Sequence, residues 1–160
     1  MAATSKPMHA ESRLGELGIR LPEAPTPYGA YVPAVQTGNL LFLSGVLAAS
    51  GHTPTVTGIL GKDLGVEAGR DAARMAAINA LARIEKALGS LDRVSRIVRL
   101  GVSMAATPEF SEHPKVADAA SELFQDVFGD EALSTRIVTG VSSLAIGSPI
   151  DLEVFLEVRP

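Results

Sequence analysis

Ile150-Asp151-Leu152-Glu153-Val154-Phe155-Leu156-Glu157-Val158 alternates apolar and polar residues through most of its length. Ile150, Leu152, Val154, Leu156 and Val158 fall on one face of an extended strand, and Asp151, Glu153 and Glu157 on the other. One face therefore packs into a core and the other is polar. A second β-type run, Thr135 to Val141, precedes it and is joined to it by Ser142 to Ser148, a connection with turn chemistry. That run opens with Arg136. If the two strands lie close in one sheet, Arg136 and the Asp151 carboxylate could stand near each other at a cleft, and this pair is the chemical centre of the sequence.

Upstream, the helical signals are as clear. Val66 to Leu88 carries Ala72, Met75, Ala76, Ala80, Ile84 and Leu88 near helical spacing in an alanine-rich segment that Gly89 ends. Lys115 to Phe128 forms a second helix with Val116, Ala120, Leu123, Phe124 and Val127 as its stripe and Gly129 as its stop. Between them Val94 to Met104 reads as a strand, with Val98, Leu100, Val102 and Met104 inward and Arg99 and Ser103 outward. Ala30 to Gln36 and Leu40 to Ser44 are two further strands, joined by the hairpin signal Thr37-Gly38-Asn39. Leu40 to Leu43 is apolar throughout, as expected of a strand covered on both faces. Thr55 to Thr57 is a possible short third strand. Residues 1–11 read as loosely held, Glu11 to Ile19 as a short helix using Leu14 and Leu17, and 21–29 as an irregular, proline-rich surface segment. The order β-β-(β)-α-β-α-β-β predicts an α+β domain over 21–160, with two helices on one face of a mixed sheet, preceded by an N-terminal extension, 1–20.

Composition narrows the function classes. The chain has 160 residues, a formal net charge of -4 and no cysteine. The acidic balance argues against nucleic acid or an anionic membrane as partner. The lack of cysteine removes disulfides, thiolate nucleophiles and cysteine metal sites. His9, His52 and His113 have no ligand spacing, so no metal is expected. Glycines 58, 61 and 65 make neither a dinucleotide fingerprint nor a P-loop. Ser44 lies in Leu-Ser-Gly-Val rather than a nucleophile elbow. Arg93, Arg96 and Arg99 read as solvated positions rather than a basic stripe for RNA. No segment has the length of a membrane span or the form of a secretory signal, and a cytoplasmic location is the expectation.

Several stretches together resemble the RidA/YjgF family of reactive enamine/imine deaminases, also described as endoribonuclease L-PSP or translation inhibitors. They are Tyr31 to Asn39, Leu41-Phe42-Leu43-Ser44-Gly45, Ala72 to Leu81, Leu91-Asp92-Arg93-Val94, Thr135-Arg136 and Ile150-Asp151-Leu152-Glu153. Gly18-Ile19-Arg20-Leu21-Pro22 is similar to the entry of a longer subgroup with an extra N-terminal helix. The resemblance covers about 20–158 and implies a chorismate-mutase-like fold of the bacillus type, assembled as a homotrimer with clefts between subunits. It implies hydrolysis of 2-imino acids to 2-oxo acids and ammonia, without a cofactor, on a small carboxylate-bearing metabolite. By that resemblance Arg136 grips the substrate carboxylate, as a guanidinium fork can and an ammonium cannot. Asp151 orients water, and Tyr31, Ser44 and Gly45 shape the pocket. Three positions depart from the family pattern. Asp151 stands where the deaminases carry glutamate, roughly 1.5 Å shorter in reach. Asp118 stands where asparagine is usual and, facing the cleft, would repel an anionic substrate. Leu144-Ala145 replaces Leu-Pro. The alternative reading is a non-catalytic trimer that binds small carboxylates, and RNA cleavage or translation inhibition is a more distant one.

Overall fold

The structure is a computed structural model that describes residues 9–160. Its centre is one mixed sheet. Strands β1 (Ala34–Thr37) and β2 (Leu40–Leu43) form a hairpin, closed by Gly38 at φ 57° in the first of the two turn positions. Glycine is favoured there because a side chain resists positive φ. Val46–Leu47 is β3, Ala49–Ser50 is β4 and Thr53–Pro54 is β5; Val94–Ala105 is β6, Thr135–Val141 is β7 and Ile150–Val158 is β8. The order across the sheet is β1-β2-β8-β6-β7, with β3 also paired to β8. Among the strands described, only β6 and β7 run parallel, as the intervening helix requires. The short strand expected at Thr55 to Thr57 lies slightly earlier, as β5, and pairs with β4 in a separate ribbon.

Three α-helices occur among the described residues: α1 (Ala10–Glu16), α2 (Val66–Leu88) and α3 (His113–Phe128). The α2 bounds are those the sequence predicts, and Gly89 caps it with φ 81°. Small residues let α2 lie close to α3. A Cβ on Gly69 would stand 2.8 Å from Leu60 Cδ2 and 3.1 Å from both Val116 methyls. The expectation of loose structure over 1–11 lies outside the described residues for 1–8 and fails at Ala10, which is buried in α1 with Leu14. Glu11 accepts the Leu91 N–H at 2.8 Å, tying α1 to the turn before β6, while Leu17 projects outward as the helix end.

Ile150, Leu152, Val154, Leu156 and Val158 are all buried against the helices, as their alternation demands. Two sequence expectations need correction. A register shift between Ile97 and Arg99 reverses the parity of β6, so Ile97 is buried and Val98 is exposed. Within one chain β2 is covered on one face only: Leu41 and Leu43 are buried, whereas Leu40 is exposed and Phe42 half-buried. Through the pairings Val35–Phe42, Phe42–Phe155 and Arg99–Phe155, the uncovered face carries an apolar stripe beside the polar Asp151, Glu153 and Ser103. Arg99 spans both, pairing with Glu153 at 3.2 Å and lying over the Phe155 ring at 5.9 Å.

Candidate functional site

Arg136 is in register with Leu100 of β6. Partners in register share a face, so its side chain follows Leu100 toward the helices. There Arg136 Nη1 donates to Asp118 Oδ1 at 2.7 Å and to Ser121 Oγ at 3.1 Å, both on α3. Nε and Nη2 have no hydrogen-bond partner among the described residues. Asp118, half-buried, therefore neutralises one prong and leaves the other edge of the fork open. These side chains, with Leu133 and Ser134, border a cavity of about 230 Å³ at the β7 edge of the sheet.

Asp151 sits elsewhere. It is in register with Ser103 of β6 and Leu47 of β3, on the face away from the helices. With Gly45, Arg99, Ser103, Thr139 and Glu153 it lines a separate cavity of about 410 Å³. The expected closeness of Arg136 and Asp151 is thus not found within a chain. β6 lies between their strands, and the two side chains project from opposite faces of the sheet.

The surroundings of Asp151 are unusual for a carboxylate. Its Oδ1 is buried without a hydrogen-bond partner. Burial pushes its pKa above the ordinary value of 3.8; a Val46 backbone hydrogen bond and the positive charge of Arg83 pull it down, and Glu153 adds to the rise. Gly45 packs directly on it: a Cβ there would stand 2.8 Å from Oδ1. Gly45 thus lines the Asp151 cavity, but Ser44 has another job, since its hydroxyl donates to the Val32 carbonyl at 2.6 Å. Tyr31 is exposed, and its hydroxyl accepts the Tyr28 N–H at 2.9 Å.

Two residues outside the sequence-based site hold it in place. Asn79 Nδ2 donates to the carbonyls of Leu47 and Ala49, and Arg83 Nη1 to those of Ser44 and Gly45. The two residues are 1% and 4% exposed, so both are polar groups inside the core. They fix segment 44–49 to α2, and with it the glycine that touches Asp151. Their signal in the sequence was a pair of polar residues four positions apart within an alanine stripe. Among the described residues no group of three His, Asp or Glu could hold a metal ion, and no helix is long and apolar enough to cross a membrane.

With the geometry in place, comparisons with known proteins agree on one lineage. A family model described as YjgF/chorismate mutase-like, with endoribonuclease as its proposed activity, matches residues 11–158. Protein TCP17 of Trypanosoma cruzi is 38% identical over 149 residues, spanning 92% of this chain and 93% of that protein. A 2-iminobutanoate/2-iminopropanoate deaminase of Dermatophagoides farinae is 31% identical over 142 residues, spanning 88% and 95%. A crystal structure of an Agrobacterium tumefaciens protein of unknown function superposes with a TM-score of 0.86 at 35% identity, covering 94% of this chain and 92% of that one.

Proposed function

This chain belongs to the YjgF/chorismate mutase-like family, and on that premise we propose that it is a homotrimeric hydrolase of reactive 2-imino acids, with each site formed between two subunits. The observation that carries this reading is the placement of Arg136 and Asp151 on opposite faces of one sheet. Each is incomplete alone. Arg136 offers an open guanidinium edge on β7, the edge strand of the sheet. Asp151 holds a buried, unpartnered oxygen on a face whose apolar stripe has no cover within the chain. Packing that face against a neighbour's β7 edge would bury the stripe and bring the two groups together.

In such a cleft Arg136 binds the substrate carboxylate through two parallel N–H···O bonds and fixes the imine carbon relative to Asp151. Asp151, ionised, accepts a proton from water as that water attacks the electrophilic C=N carbon. The resulting carbinolamine expels ammonia once its nitrogen is protonated, and the 2-oxo acid remains. The raised pKa of Asp151 favours this task, because a desolvated carboxylate is the stronger base. Gly45 permits close approach to it, and Tyr31 would border the cleft from the loop before β1. Similarity to the mite deaminase supports the same reaction class.

The experiment is ammonia release from freshly generated 2-iminobutanoate and 2-iminopropanoate. Arg136→Ala should lose about tenfold to a hundredfold in kcat/KM, the worth of a charge-assisted grip. Mixing dissociated Arg136→Ala and Asp151→Ala subunits should restore activity, since some clefts then receive both native groups. Restoration rules out a site formed within one chain. If neither imine is hydrolysed faster than in buffer, the chain is a carboxylate-binding trimer instead.

A further inference from the structure

A third cavity, of about 390 Å³, lies on the helix side of the sheet between the C-terminal half of α2, the β1–β2 hairpin and the proline-rich segment at 24–27. It is separate from both halves of the proposed catalytic cleft. Pro25, Pro27, Pro33, Ala34 and Leu41 give it mainly apolar walls. Arg83 and Lys86 are its charged residues, three positions apart on one helix face, and no carboxylate lines it. Its volume falls within the usual range for small-molecule pockets, about 300–1,000 Å³.

Arg83 sets this cavity apart from a surface groove. It is 4% exposed, and no Asp or Glu lies in ion-pair contact with it among the described residues. Nη1 is engaged by the Ser44 and Gly45 carbonyls. Nε is buried without a partner, closed to a ligand as to water, whereas Nη2 makes no hydrogen bond among the described residues. Nη2 is thus the donor left for one oxygen of a carboxylate, and Lys86, on the same helix face, can meet the other. Lys86 is accounted for by its place in the last turn of α2, where a cation meets the helix dipole. Arg83 is only partly accounted for: two carbonyls and the more distant charge of Asp151 act on it, and no carboxylate among the described residues pairs with it directly.

We propose that this cavity is a second ligand site, which takes a small carboxylic acid with an apolar body, its carboxylate on Arg83 and Lys86 and its body against the prolines. The walls are not built from flexible loops alone. The hydroxyl of Tyr28 donates to the Gly51 carbonyl at 3.1 Å, and its ring stacks on His52 at 4.1 Å, which pins the proline segment to the neighbouring turn.

Calorimetric titration with benzoate, and with the neutral benzamide as control, tests the site in the full-length protein. Benzoate should bind saturably and benzamide at least about tenfold more weakly, the loss expected when a charged hydrogen-bond partner is removed. Lys86→Ala should weaken benzoate severalfold. Ala87→Phe, at an exposed helix position on the cavity rim, should block it without disturbing the core. Arg83→Gln, if folded by circular dichroism, should abolish it. Arg136→Ala should leave it intact, which separates this site from the proposed catalytic one. Equal binding of benzamide, indifference to both Lys86→Ala and Ala87→Phe, loss of binding in Arg136→Ala, or no saturable binding would each overturn the proposal.

Discussion

Replacing Gly45 by alanine tests how tightly the chain controls Asp151. The backbone at Gly45 tolerates a side chain, because its φ is not positive. What resists is the carboxylate: the new methyl carbon would lie 2.8 Å from Oδ1, 3.1 Å from Oδ2 and 3.3 Å from Cγ. Carbon–oxygen contacts settle at about 3.3–3.6 Å, so the carboxylate must retreat by roughly half an ångström. Misplacing a reacting group by about 1 Å costs around a hundredfold in rate; half of that displacement should lower turnover about tenfold, with KM nearly unchanged because Arg136 is untouched. The strain should cost about 1 kcal/mol, the low end for an added methyl, since the displaced atoms end a rotatable side chain. A double-mutant cycle in urea isolates the contact. In an Asp151→Ala background the alanine at 45 should cost almost nothing, giving a coupling near 1 kcal/mol. Equal cost in both backgrounds would show that Gly45 is kept for some reason other than the carboxylate, and unchanged turnover would remove Gly45 from the site.

Asp118→Asn keeps a hydrogen bond to Arg136 but removes the charge, so KM for an anionic imine should fall severalfold while kcat holds; a rise in KM would mean that Asp118 positions the guanidinium. Asp151→Asn should stabilise the protein at pH 7, read as a Tm increase of about 2–4 °C for each kcal/mol. The sign follows from a folded-state pKa raised above 3.8: ionising Asp151 costs more in the folded chain, so the penalty is present at neutral pH and vanishes once both states are protonated below 3.8. A gain that persists at pH 3 would assign it to something other than ionisation. Gly69→Ala should destabilise by about 1–3 kcal/mol despite better helix propensity, because its methyl meets Leu60 and Val116; thermal melts decide it.

Much of the fold was legible because period and burial agree. The alternation in β8 and the 3.6-residue stripe of α2 state their buried faces directly, and their bounds follow. Val98 was misassigned because a register shift leaves no mark in composition. Leu40 to Leu43 declared two apolar faces truthfully, but one of them has no cover within the chain, and a sequence does not say whose atoms cover it. The candidate residues could be named from the sequence one by one, but not their arrangement. Arg136 and Asp151 both stand second in their strands, yet strand order and facing are long-range properties, fixed by β6 intervening between β7 and β8. Arg83 and Asn79 were visible as polar breaks in an alanine stripe, and only the fold shows the carbonyls they hold.

In the proposed trimer, the sheet that keeps Arg136 and Asp151 back to back would also set a threshold on when the chemistry can begin. A newly made chain would carry both halves of the site and be inert, since its own two groups cannot meet across the sheet. Activity would then rise with the third power of protomer concentration at high dilution, and a chain damaged at one of its two groups would silence one cleft while still completing the other. Protein abundance, and not only metabolite supply, would decide how fast the imine is cleared.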